Sequence, residues 1–306
     1  MTFIRTAFVF PGQGSQHPGM LDAAPENDAL ERLLDAAEAL SGLELRSIAR
    51  LGQAEDLADT RVAQPLLYLT DWAWAVALLE SQIVPDLIAG HSLGELAALA
   101  VGGVVSVEAG LELVIERSKL MAATVAAAPG TMAAVLGLSA GVVADTVATI
   151  DDVWVANDNS PGQVVISGSH EAVGTATLQL TNIGARRVVP LKVAGPFQSP
   201  MMEPARAAFA EILVGTEFKN ATIPVLQNTD PSPATDGRAI RERLIGQITA
   251  PVRWTETMRA LSEDGPTVVI EAGPGSVLGG LTRDYASLTA VSVEESGIER
   301  VVEEVS

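Results

Sequence analysis

Asp86-Leu87-Ile88-Ala89-Gly90-His91-Ser92-Leu93-Gly94-Glu95 changes its hydrophobic period midway. Residues 86–89 read as a short buried strand, and from Leu93 apolar residues recur at helical spacing to about Val101. Between the two lies Gly-x-Ser-x-Gly at 90–94. A serine on a sharp strand-to-helix turn projects its hydroxyl from the end of a sheet, and flanking glycines let the backbone turn without a clash. The next N–H, that of Leu93, stands at a helix start and can stabilise an oxyanion. On these residues alone, an ordinary glycine-rich turn is the alternative to a nucleophile.

Outward from this segment the chain alternates helix and strand. Thr6 to Phe10 reads as a buried strand ended by Pro11 and Gly12. Residues 26–41 have helical spacing, with Leu30, Leu33, Leu34, Ala37 and Leu40 on one face. Residues 64–80 and 107–123 read as two further helices, the second carrying Arg117. After Pro129-Gly130 the pattern shifts. Strand-like 132–137, 153–157, 164–167 and 186–193 enclose helix-like 140–149 and 169–181. That β-α-β-β-α-β order is the ferredoxin-like signature. The expected class is therefore α/β: a hydrolase-like large domain with a parallel-sheet core (1–127 and 199–306), plus an inserted ferredoxin-like small domain (128–198). A further buried strand is expected at Thr267 to Glu271, before Gly273-Pro274-Gly275.

Composition bounds the function. Hydrophobic residues make up 48% of 306, enough for a sizeable core. The net charge of −19 argues against nucleic acid, which needs clustered Lys and Arg. An acidic protein partner would need a local basic patch, and Arg186, Arg187 and Lys192, or Arg238, Arg241 and Arg243, could form one. With no cysteine there are no disulfides, thiolate metal sites or cysteine nucleophiles. No apolar run approaches the roughly 18 to 20 residues of a membrane span. The N-terminal stretch lacks the h-region and cleavage site of a signal peptide. A cytoplasmic location, no membrane and no nucleic-acid partner are expected. Lacking a metal-ligand cluster or P-loop, the chain is expected to use no cofactor.

Several motifs together resemble one family. Phe10-Pro11-Gly12-Gln13-Gly14-Ser15-Gln16 and Gly90-His91-Ser92-Leu93-Gly94-Glu95 are similar to the opening motif and nucleophile elbow of malonyl-CoA:acyl carrier protein transacylases and polyketide acyltransferase domains. Gln64-Pro65, Arg117, Gly130-Thr131-Met132-Ala133-Ala134 and Asn159-Ser160-Pro161-Gly162-Gln163 follow in the family's order. So do Gly195-Pro196-Phe197, Gln247, Pro251-Val252-Arg253-Trp254 and Glu271-Ala272-Gly273-Pro274-Gly275. The resemblance implies that Ser92 takes an acyl group from malonyl-CoA and passes it to the phosphopantetheine thiol of acyl carrier protein, by a ping-pong route. It implies an oxyanion hole of Gln13 and Leu93 backbone N–H groups. It makes Arg117 the grip on the malonyl carboxylate, with Phe197 and His91 also beside the substrate. Without it, Arg117 reads as a solvated helix charge or an ion pair with Glu112 or Glu116.

One residue departs from the family pattern. Val193-Ala194-Gly195-Pro196-Phe197-Gln198-Ser199 has glutamine where the family has its histidine base. An amide hydrogen-bonds but takes up no proton near neutral pH. Of the three histidines, His91 and His17 lie near enough in sequence to be weighed as substitute bases, and His170 reads as a surface residue. Besides a slowed malonyl transferase, the sequence leaves an acyl-thioester hydrolase and a non-catalytic carrier-protein-binding relative as alternatives.

Overall fold

A computed structural model describes residues 5–263 and 265–305. The reading of the first residues as no signal peptide falls partly on 1–4, outside the described residues. The nine described strands are β1 (Arg5–Phe10), β2 (Leu87–Gly90), β3 (Thr131–Leu136), β4 (Val153–Ser160), β5 (Gln163–Gly168), β6 (Arg187–Pro190), β7 (Val225–Leu226), β8 (Thr267–Glu271) and β9 (Leu288–Ser292). They form two sheets. One is parallel, in the order β7-β2-β1-β8-β9. The other is antiparallel, in the order β4-β5-β3-β6, with helices Ala140–Val147 and His170–Asn182 between its strands in sequence. The second sheet has the strand order and connections of a ferredoxin-like unit. The fold is α/β, as the sequence indicates.

The parallel sheet is covered on both faces. Phe8, Phe10, Ile88, Val268 and Ile270 enter one hydrophobic cluster, while Ala7, Val9, Leu87, Ala89 and Val269 enter another on the opposite side. The period of two thus sends alternate side chains into two helical layers, which explains why these strands read as continuous apolar runs. The first cluster is the larger and includes helices Thr60–Glu80 and Val107–Ala127. Val135, Val143, Val164, Ile166 and Leu180 form a third core within the ferredoxin-like unit.

The two sheets meet through backbone. Val252 donates to Ala156 O at 2.9 Å and accepts from Asp158 N at 2.9 Å, so it pairs with the outer edge of β4. Thr255 Oγ1 donates to Asp158 Oδ1 at 2.8 Å beside it.

Several boundaries differ from the sequence reading. Helix Thr60–Glu80 starts before residue 64, because the Asp59 carboxylate caps Arg61 N and the helix runs through Pro65. It is long and apolar enough to cross a membrane, contrary to the reading of the apolar runs. Yet 78% of its most apolar window is buried in protein, which makes it a core helix. Leu40, expected inward, is 44% exposed in the last turn of its helix, Asp28–Ser41. Strand β4 runs on to Ser160 through two register shifts. Strand β6 stops at Pro190.

Glu271 ends β8 and caps the following turn, accepting from Leu278 N at 3.0 Å and Gly279 N at 2.8 Å. Burial pushes its carboxyl up to about 7 against the pull of those bonds. The folded state therefore holds a proton that the unfolded chain releases near pH 4.5. Stability from this group is full below that point and is lost as pH rises through about 7. Asp71, fully buried and facing Glu271, is raised in the same direction by burial and by Glu271. Thermal unfolding should show a midpoint that falls between pH 5 and 8, and Glu271→Gln should flatten that slope.

Candidate active site

Strands β1 and β2 run side by side with Phe10 opposite Gly90, so the loops at their carboxyl ends meet. The approach is close. A Cβ on Gly12 would lie 2.3 Å from the carbonyl oxygen of His91, and one on Gly94 would lie 2.1 Å from that of Phe10. Only glycine fits either place. The Gln13 side chain secures the first loop: its Nε2 donates to Ala58 O at 3.2 Å and its Oε1 accepts from Thr60 Oγ1 at 3.2 Å. Gln13 thus lies beside the turn that carries Ser92. Leu93 immediately precedes helix Gly94–Val101, where backbone N–H groups have no intrahelical acceptors.

Ser92 sits on this turn with φ of 51°, in the left-handed region. A non-glycine residue there is strained and persists only when its surroundings impose it. The clamp is visible. Asn228 Oδ1 accepts from Ser92 N at 2.7 Å, and Asn228 Nδ2 donates to Gly90 O at 2.5 Å. Gln247 Nε2 donates to Ser92 O at 2.6 Å. Glu95, 1% exposed, accepts in turn from Asn228 N at 2.9 Å, Gln227 Nε2 at 3.0 Å and Gln247 Nε2 at 3.4 Å. Burial raises the Glu95 carboxyl, while these bonds and the charge of Arg117 pull it back.

Arg117 is 1% exposed, which removes the solvated-charge reading, and Glu116 pairs instead with Lys119 at 2.9 Å. Its Nη1 donates to Gln64 Oε1 at 2.7 Å, and its Nη2 donates to Gln247 Oε1 at 3.1 Å and to Ser92 Oγ at 3.4 Å. Burial pushes its pKa down to about 10, partly offset by Glu95, so it stays charged at neutral pH. The Nε–H is buried without an acceptor. One edge of the guanidinium fork therefore has a donor to spare for a carboxylate.

Gln198 faces Ser92 from the other side. Its Nε2 donates to Ser92 Oγ at 3.0 Å, and its own φ is 52°, so two strained residues meet across one bond. The serine oxygen accepts from both Gln198 and Arg117, and neither takes its proton. Phe197 beside it is buried in the main core at 4% exposure.

The other histidines are engaged elsewhere. The Nε2 of His91 bonds Asn159 Oδ1 at 2.8 Å, which makes it the protonated nitrogen, and the ring meets Trp254 edge-on with centroids 5.3 Å apart. Burial lowers its pKa, leaving a neutral imidazole. His17 bonds Pro18 O through Nδ1 and Glu294 through Nε2 at 2.9 Å. Burial pulls its pKa down, but those bonds raise it overall. A cleft of about 480 Å³ opens between the sheets, lined by Gln13, His91, Asn157, Asn159, Gln163 and Lys192 among others. The sequence motifs quoted Gln64, Asn159 and Gln247 without assigning them a role. Gln227 and Asn228 were missed, although two amides directly after the buried Val225–Leu226 were a signal.

The description acyl transferase domain matches residues 7–296. The chain belongs to the acyl transferase family. A malonyl CoA-acyl carrier protein transacylase of Synechocystis sp. is 43% identical over 281 residues, covering 92% of this chain and 93% of the relative. An acyl-carrier-protein-S-malonyltransferase structure from Bartonella henselae superposes with a TM-score of 0.92 at 33% identity, covering 99% of both chains. The malonyl-transacylase in a complex with a type II polyketide acyl-carrier protein gives 0.89 at 36% identity, covering 97% of this chain and 99% of that one. The family match supports the sequence resemblance along nearly the whole chain.

The contact at Gly12 yields a direct check. Gly12→Ala must push the Gln13 loop away from His91 and should cost about 1–3 kcal/mol, as overpacking generally does. Denaturant unfolding measures the loss.

Proposed function

We propose that the chain transfers a malonyl group from coenzyme A to the phosphopantetheine thiol of acyl carrier protein through an ester on Ser92, at a rate limited by Gln198. The observation that carries this reading is the buried Arg117. Its Nη2 lies 3.4 Å from Ser92 Oγ and its Nε–H lacks an acceptor. A malonyl carboxylate on that fork would hold the thioester carbonyl near Ser92, and an acetyl group has nothing to offer it.

Attack of Ser92 Oγ on the carbonyl forms a C–O bond, loses the hydroxyl proton to solvent and puts negative charge on the carbonyl oxygen. The N–H groups of Leu93 and Gln13 are the donors for that charge. Collapse breaks the C–S bond and releases a thiolate, which leaves without an acid. The second half is the same step in reverse, with the carrier protein's thiol. Phe197 would restrict branching of the acyl group, and His91 would border it. The reading needs no cofactor and takes the location as cytoplasmic. It treats 128–198 as a unit inserted between 1–127 and 199–306.

For an acidic partner, Arg186, Arg187 and Lys192 are exposed and in no ion pair among the described residues. Of Arg238, Arg241 and Arg243, the first and last are already paired with Glu242 and Asp230 at 3.0 and 2.6 Å. The first cluster, of which Lys192 lines the cleft, is therefore the better docking patch. A non-catalytic carrier-protein binder is the second reading, favoured by the two donors on Ser92 Oγ. The buried Arg117 beside a serine is harder to reconcile with an acyl-thioester hydrolase.

Intact mass after mixing with malonyl-CoA tests this. A malonyl adduct should form on the protein and not on Ser92→Ala, and Gln198→His should form it roughly 10² to 10⁴ times faster. No adduct on the protein after hours, with rapid acylation of Gln198→His, would replace the transferase with the binding-only reading.

The pH profile should differ as well. Without a protein base the serine proton leaves to solvent, so the acylation rate should rise about tenfold per pH unit through neutrality. In Gln198→His it should level off above the imidazole pKa.

A further inference from the structure

Arg117 and Glu95 are the two buried charges behind Ser92, and one amide joins them. Gln247 Oε1 accepts from Arg117 Nη2 at 3.1 Å, while Gln247 Nε2 donates to Glu95 Oε2 at 3.4 Å. Each residue is 1% exposed. The cation is thus balanced by an anion it does not touch, through a bridge polarised at both ends. The rest of Glu95's surroundings are neutral donors, from Gln227 Nε2 and Asn228 N. Arg117 is the charged group that acts on it, and the nearby imidazole of His91 is neutral and turned to Asn159.

A second anion upsets this balance. When a carboxylate occupies the Arg117 fork, the buried group holds two negative charges against one positive charge. Low-dielectric surroundings make that excess costly, and the cheapest relief is to neutralise one carboxylate. The incoming carboxylate sits directly on the guanidinium, so it stays ionised. Glu95, whose ionised form is already opposed by burial, is the group that takes up the proton.

We propose that Glu95 tunes the acyl specificity of Arg117 through Gln247, staying ionised when the fork is empty and binding a proton when a carboxylate-bearing acyl group occupies it. This inference rests on the malonyl reading of Arg117. Its consequence is that selection for a carboxylate depends on pH although neither the ligand's carboxylate nor Arg117 changes charge. Binding of a malonyl group draws in a proton, and binding of an acetyl group does not. By reciprocity, affinity for malonyl relative to acetyl rises as pH falls, by at most about tenfold per pH unit for one linked proton.

Titration calorimetry on Ser92→Ala, which cannot be acylated, tests the idea with malonyl-CoA and acetyl-CoA as probes. Each is titrated in buffers of different ionisation enthalpy between pH 5.5 and 8. The expected result is net proton uptake with malonyl-CoA in excess of that with acetyl-CoA, abolished by Arg117→Ala. Equal uptake by both probes throughout, with malonyl-CoA the tighter binder, overturns the role of Glu95 and leaves Arg117 as the carboxylate grip. Equal affinity for both probes overturns the malonyl reading itself. Glu95→Gln gives a second check: if it folds, the excess uptake should vanish while malonyl-CoA still binds. Persistence of the excess would overturn the proposal.

Discussion

The constraint on which the site depends is between two pieces of backbone. The loop after β1 and the turn after β2 touch at Gly12 and Gly94, with no space for a side chain at either. Parallel pairing of Phe10 with Gly90 sets that contact, and the contact sets the site. It holds Gln13 beside the turn of Ser92, and it leaves Asn228 and Gln247 to clamp that turn from below. A slip of one residue in the register would face every side chain of β1 the other way and take the loop with it.

On that frame the proposed chemistry depends on what surrounds one oxygen. Ser92 Oγ receives an amide N–H from Gln198 and a guanidinium N–H from Arg117. Both stabilise negative charge on the oxygen and neither removes its proton. In the proposed transfer this arrangement would supply positioning and electrostatics and leave proton transfer to solvent. Ser92 and Gln198 both hold a left-handed backbone. The amides of Asn228 and Gln247 hold the turn of Ser92 in that geometry.

Much of this was readable along the chain, and the limit is physical. The strands of both sheets, β7 and β9 excepted, announce themselves through apolar runs and Gly/Pro punctuation, and the insertion through its β-α-β-β-α-β order. Helix starts were harder, because Asp59 capping and a tolerated Pro65 moved one by a turn. Ser92, Gln198, Arg117 and Gln13 were named from motifs and lie together. The roles of their supports were not legible. Asn228 is 136 residues from Ser92, and Gln247 is 130 from Arg117. Two amides after the apolar pair 225–226 are a local sign, but the partner of each arrives only when the sheet closes. Leu40 fits the apolar stripe of its helix, but the stripe outlasts the surface it packs on.

The pairing of Val252 with the outer side of β4 also governs how the molecule behaves in a crowd. A four-stranded antiparallel sheet has two open margins, and either can recruit a strand from another copy. Here one margin is occupied along Ala156–Asp158 by peptide groups from elsewhere in the same chain. The other is β6, only four residues long, carrying Arg187 and ending in Pro190, which has no N–H to offer. Concentrated solutions of the folded protein should therefore resist growth of intermolecular sheet from this unit.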